Sequence, residues 1–223
     1  RKRALSELKS GGLDVYVAAV QPQWETETLP IYIPLRKGIL GYRIFLVHRD
    51  QLGAFGKVQS VEQLKDLRLG SGAQWSITQV FRELGFRIET SPSYDGLFRM
   101  LANRRFDYFP RGVSEVFKEV EARASSYPEI AVERRLALYI PLPTYFFVSP
   151  HRPELRDRLE AGLRDMMADG SFEALFLRFN GENLEKAALA NRHVMRLPNP
   201  FLGSRNPIDD PELWYRPQVG PDS

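Results

Sequence analysis

The stretch Ser60-Val61-Glu62-Gln63-Leu64-Lys65-Asp66-Leu67-Arg68-Leu69-Gly70-Ser71-Gly72 decides the fold class. Ser60 and Gln63 have the spacing of a capping box. The serine oxygen accepts from the first turn and the glutamine reaches back, so a short helix starts here. Arg68 to Gly70 reads as a strand opening onto Gly70-Ser71-Gly72. The same alternation continues downstream. A helix at 76–84 stops at Gly85, followed by a strand at 87–90, a helix at 94–103, a strand at 106–109, a helix at 113–124 and a strand at 130–139. Strands alternating with helices through short turns predict βαβ units on a parallel sheet.

Upstream, residues 2–10 read as a helix stopped by Gly11-Gly12. Leu13 to Val20 (LDVYVAAV) reads as a buried parallel strand, because it is β-branched and almost uniformly apolar. Residues 21–30 (QPQWETETLP) read as a polar loop, with Glu25 and Glu27 exposed, and Tyr42 to His48 as a second strand. Beyond Pro141 and Pro143, the sequence predicts a strand at 145–149 and helices at 153–168 and 171–179. After Gly181, Pro198, Pro200, Pro207, Pro211, Pro217 and Pro221 predict a surface tail without regular structure, pinned by Trp214 and Tyr215.

The chain has 223 residues, of which 43% are hydrophobic and 26% charged, an ordinary globular composition. Lys+Arg 31 against Asp+Glu 28 leaves only +3, and no block of like charge extends beyond Arg1-Lys2-Arg3. A nucleic-acid partner is therefore not expected. The absence of cysteine excludes disulfides, thiolate metal sites and cysteine nucleophiles. The longest apolar stretch, Leu136 to Val148, is interrupted by two prolines and falls short of the roughly 20 residues a membrane span needs. GxSxG, HExxH, GxxxxGK[ST] and GxGxxG do not occur, and no carboxylate pair is evident for acid–base chemistry. His48, His151 and His193 stand apart, so no metal or cofactor is expected.

Four segments in order, Arg3-Ala4-Leu5 to Gly11-Gly12-Leu13-Asp14-Val15, Ser60 to Asp66, Leu101-Ala102-Asn103-Arg104-Arg105-Phe106-Asp107 and Met167-Ala168-Asp169-Gly170-Ser171-Phe172, resemble the family 3 extracellular solute-binding proteins. These are the polar amino-acid receptors of bacterial ABC importers. The resemblance spans most of residues 1–180 and rests on order and spacing. It implies an α/β fold of two lobes, of the periplasmic-binding-protein-like type II class, with ligand held in the cleft by hinge closure. It also implies a strand and a helix ahead of Arg1, so the first lobe is expected to lack its beginning. The expected division is 1–57 with 141–181 for the first lobe, 58–140 for the second, and 182–223 as an extension.

The departures from the family pattern concern its ligand clamp. Where the family carries a carboxylate-gripping Arg, this sequence has Thr26. Where it carries an ammonium-binding Asp, five residues beyond Asp107, this sequence has Gly112, preceded by Arg111. A standard α-amino acid in the standard pose is not expected. Arg111 leaves a parallel strand at its carboxyl end, where open α/β sheets place ligands, and its fork suits a carboxylate, sulfonate or phosphate. The alternative is a pair with Glu115 at i,i+4. Ser71, Gly72, Gln74 and Trp75 lie on a glycine-rich turn whose free N–H groups would favour anions. Gln21, Trp24 and Thr26 are the candidates from the first lobe. Each tryptophan either stacks on a ligand or packs internally. Arg36, Lys37 and Arg43 either flank a hinge strand as solvated charges or form a positive rim.

The reading is a monomeric, non-enzymatic solute-binding protein for a small polar, anionic ligand, outside the cytoplasm with its leader removed. A partner would be an ABC permease or a membrane sensor. The alternatives are a lyase on the same fold and an orphan module that binds a protein.

Overall fold

The computed structural model describes residues 2–217; Arg1 and residues 218–223, with Pro221 of the expected tail, lie outside the described residues. In chain order the elements are α1 (Lys2–Ser10), β1 (Val15–Ala19), α2 (Pro22–Glu27), β2 (Leu29–Ile31), β3 (Tyr42–His48), α3 (Leu52–Phe55), α4 (Val61–Asp66), β4 (Arg68–Gly72), α5 (Ser76–Glu83) and β5 (Arg87–Ser91). There follow α6 (Tyr94–Ala102), β6 (Tyr108–Gly112), α7 (Val116–Glu121), β7 (Ile130–Val132), β8 (Leu136–Tyr139), β9 (Thr144–Val148), α8 (Pro153–Ala168), α9 (Ser171–Ala187) and β10 (His193–Arg196). The chain divides into two units. The first holds residues up to Leu40, Pro141–Glu182 and Phe201–Arg216; the second holds Gly41–Ile140 and Asn183–Pro200.

The first unit is built on a three-stranded sheet, β1-β9-β2, antiparallel throughout. The parallel strand expected over 13–20 is therefore an antiparallel edge strand, and Val17 on it is 45% exposed. A uniformly apolar run does not encode strand direction. The expected polar loop at 21–30 is α2 followed by β2. Pro22 stands at the first helical positions, where its fixed φ and missing N–H fit a helix start. Glu25, expected exposed, is buried and accepts from Tyr32 Oη at 3.2 Å and Asn206 Nδ2 at 2.9 Å. Burial and the Glu25 charge push the Tyr32 phenol up to about 12.

The second unit holds a seven-stranded mixed sheet, ordered β10-β8-β3-β6-β4-β5, with β7 also on β3. β3 pairs antiparallel along all of β6 from Arg43↔Gly112 to Val47↔Tyr108, and on its other edge with β8 and β7. Residues 41–57, expected in the first lobe, lie here because β3 is shared by both sides of this sheet. All seven residues of β3 are buried, as suits a strand covered on both faces. β4 runs parallel to β5 and β6. The single strand expected at 130–139 is two, β7 and β8. Glu133 breaks it by accepting from the N–H groups of Arg135 at 2.9 Å and Leu136 at 2.6 Å.

The tail is more regular than its prolines suggest. α9 continues through Gly181 to Ala187, and β10 joins the second sheet parallel to β8 from His193↔Leu136 to Arg196↔Tyr139. Residues 201–216 pack in the first unit. Trp214 is 3% exposed, its Nε1 donates to Pro207 O at 2.6 Å, and Tyr215 N donates to Lys37 O at 2.8 Å. Gly38 has φ +70 and a Cβ there would overlap the Trp214 ring, so the turn requires glycine on two grounds.

Trp214→Ala is expected to lower stability by about 3–5 kcal/mol, the scale of a buried aromatic truncation. Urea melts measure it. A loss under about 0.5 kcal/mol, as for an exposed site, would show that the tail merely lies on the surface.

Candidate functional site

Arg111 sits at the carboxyl end of β6, in the second unit, and is 5% exposed. Burial works against its charge. Glu119 overcomes this, accepting from Nε at 2.6 Å and from Nη2 at 2.5 Å, with Glu115 Oε2 at 3.1 Å from Nη2, and the net effect raises the guanidinium pKa. The i,i+4 pair with Glu115 is present, but the fork is filled by Glu119, one turn further along α7. Counting i,i+4 from Arg111 finds Glu115 alone. The signal for the second partner was the i,i+4 spacing of the two glutamates, which puts them on one face of a helix. Glu115 Oε2 also accepts from Gly112 N at 3.2 Å.

The guanidinium lies among aromatic rings. Its central carbon is 4.6 Å from the Trp75 centroid, 5.0 Å from Phe109 and 5.7 Å from Tyr94. At such distances the ring faces attract the cation. Trp75 stacks on Phe109 at 6.0 Å and 15°. Burial first, then the neighbouring Glu119, pushes the Tyr94 phenol above its ordinary range. The cluster is thus a half-buried indole with a neutralised guanidinium against it.

The β4–α5 turn places Trp75. Ser71 is buried, and its hydroxyl donates to Thr78 Oγ1 at 2.6 Å while Thr78 Oγ1 donates to Gly72 O at 2.7 Å. Ala73 N donates to Ser91 O at the end of β5 at 3.0 Å and Trp75 N to Gly72 O within the turn at 3.1 Å, so these two expected free amides are engaged. Gln74 is exposed. A Cβ on Gly72 would overlap the Trp75 indole, so the glycine allows the ring to lie flat on the backbone.

Gln21, Trp24 and Thr26 belong to the first unit. Gln21 is the residue before α2 and its carbonyl accepts from Trp24 N at 3.0 Å. Trp24 is 2% exposed, packed with Leu5, Leu8, Ala18, Val20, Tyr145 and Phe147 and stacked on Tyr16 at 5.5 Å. It is a core ring, because the helical turn of α2 directs it inward. Thr26 is exposed and its hydroxyl donates back to Gln23 O at 3.2 Å. Among the described residues no group of three metal-ligating side chains occurs, and no helix is long and apolar enough to cross a membrane. A concavity of about 490 Å³ in the first unit is lined by Lys37, Arg164, Met167, Phe172 and Glu173, and Lys37 is already paired with Glu173 at 2.5 Å.

The sequence matches no family model and no curated protein. The fold is that of periplasmic binding proteins. It is similar to an ancestral arginine-binding protein bound to glutamine, at 15% identity and TM-score 0.57 over 81% of this chain and 76% of that one. It is similar to a histidine kinase sensor domain with similarity to periplasmic binding proteins, at 18% identity and TM-score 0.57 over 81% and 75%. It is similar also to a binding component of an ABC transporter from Wolinella succinogenes complexed with lysine, at 14% identity and TM-score 0.57 over 78% and 73%.

The side chains of Arg111 and Glu119 are 6% and 12% exposed, against 38% for Glu115. Glu119→Gln is therefore expected to cost about 3 kcal/mol, as when a buried pair loses one partner. Glu115→Gln is expected to cost under about 1 kcal/mol. Chemical denaturation of both variants checks the ranking; equal losses would contradict it.

Proposed function

We propose that the chain is a solute-binding protein outside the cytoplasm that takes a small polar, anionic ligand, as a monomer, on behalf of an ABC permease or a membrane sensor. The fold supports solute binding. The importer component and the sensor domain that it resembles keep both partners open. The observation that carries the ligand class is the chemistry around Gly112. Where the resemblance supplies an ammonium-binding aspartate, the chain has a glycine, and the neighbouring carboxylates are committed. Glu119 holds Arg111, and Glu115 bonds both Arg111 and Gly112 N. No carboxylate of this cluster is left for an ammonium, and the Trp75 face lies beside the paired Arg111 guanidinium. A flat ligand with an acidic group suits an indole face at a strand end whose carboxylates are already engaged. Thr26 in place of the other clamp residue agrees with a ligand that is not a standard α-amino acid.

A thermal-shift screen over amino acids, dicarboxylates, sulfonates and polyamines tests this. A ligand at a hundred times its Kd adds about 2.7 kcal/mol, which in a chain of this size raises Tm by roughly 5–10 °C. Acids are expected to do so and polyamines not. Trp75→Ala is expected to weaken the acid response by about tenfold, the scale of one lost ring contact. A shift confined to polyamines or basic amino acids would overturn the anionic reading. Silence from every class would overturn solute binding.

A further inference from the structure

We propose that Arg43 is the residue of the second unit that receives the ligand's anionic group, and that this group is a carboxylate; the proposal rests on the solute-binding reading above. Arg43 is the second residue of β3 and is 4% exposed. It makes no side-chain hydrogen bond and no ion pair among the described residues, and its Nε is buried without a partner. Three other sheltered guanidinium groups of this unit do make hydrogen bonds, although Arg135 Nε is likewise buried without a partner. Arg111 is forked onto Glu119. Arg192 donates to the carbonyls of Ala187, Glu133 and Leu136 at 2.7, 2.7 and 3.0 Å. Arg135 donates to Phe55 O at 3.2 Å and also to Val58 O.

A buried guanidinium that lacks a partner forfeits its hydration without compensation. A fold retains such a group at a cost unless something arrives to pair with it. Burial lowers its pKa to about 10, with Glu115 supporting the charge and Arg111 opposing it. Arg43 is therefore still a cation at neutral pH. Gly112 is its partner in register, and a Cβ there would lie 3.7 Å from Arg43 Nη1 and 2.8 Å from Glu115 Oε2. A Cβ at 112 would overlap the Glu115 carboxylate and stand in ordinary contact with Arg43. Glycine there keeps a further side chain off the guanidinium, whose planar fork suits the two oxygens of a carboxylate. Arg111 and Arg43 balance the charges of Glu115 and Glu119 at this strand end, so a singly charged carboxylate disturbs it less than a doubly charged phosphate or sulfate.

The test is thermal unfolding of the full chain and of Arg43→Met and Arg43→Lys, with the sodium salts of acetate, lactate, glutamate and succinate, and with phosphate. Chloride at matched ionic strength is the reference. In chloride, Arg43→Met is expected to melt higher than the unaltered chain, because the thioether keeps the stem and discards an unpaired buried charge. The unaltered chain is expected to gain Tm with at least one carboxylate, Arg43→Met to show no gain, and Arg43→Lys to respond with an apparent affinity ten- to a hundredfold weaker. A lower melt for Arg43→Met in chloride would show the charge to be satisfied in the folded state and would overturn the proposal. So would an undiminished carboxylate response in Arg43→Met, or a phosphate response that exceeds every carboxylate. A neutral or cationic solute that stabilises the chain and Arg43→Met equally would sink the role of Arg43 while leaving solute binding intact. No shift with any solute of the wider screen would sink both.

Discussion

β3 has neighbours on both edges, and the second unit is arranged around that fact. A strand paired along one side with β6 and along the other with β8 and β7 has no edge left for water. Its sequence, YRIFLVH, answers with side chains that fill two faces at once. Phe45 packs edge-on against Tyr108 at 5.3 Å, and Tyr108 also meets Phe55 at 5.7 Å while its hydroxyl donates to Leu64 O at 3.0 Å. Helices α3 and α4 are thereby tied to the central strands. The same constraint turns the arginine at the second position of β3 into a buried cation, since a strand so enclosed offers a charged side chain little route to solvent.

The local devices were largely legible in the sequence. Ser60 caps α4 by accepting from Gln63 N at 3.3 Å, as its spacing requires. The reciprocal bond departs by one residue, Gln63 Oε1 accepting from Gln59 N at 2.7 Å. Asp107 at the start of β6 accepts from Arg68 N at 2.7 Å, which locks the parallel pair β4 and β6 where the alternation of helix and strand placed them. Direction and partnership were not legible. Apolar runs read alike whether β1 meets its neighbour parallel or antiparallel. The tail's prolines concealed β10, because four residues between breaks suffice for an edge strand once β8 offers a free side.

Of the candidate site, the turn after β4 and the strand end at Arg111 were legible as local structure because they follow chain-local rules. What lay beyond was the second partner of a charge. Arg111 and Glu119 meet across eight residues and a change of element, and nothing in one sequence says which of two glutamates a guanidinium prefers. Trp24 misled for a related reason. Its polar neighbours suggested a loop, but a proline at the start of α2 made them a helix, which turns the ring into the core.

The chain has three tryptophans, and the fold has given them three different surroundings. Trp24 and Trp214 are sealed at 2% and 3% exposure within the first unit, whereas Trp75 is half-buried in the second and lies 4.6 Å from a guanidinium. Intrinsic emission from this protein is therefore spatially sorted without any label. A soluble quencher such as iodide reaches the indole at the candidate site in preference to the other two. The quenchable fraction of the light reports on the second unit, and the protected fraction on the integrity of the first.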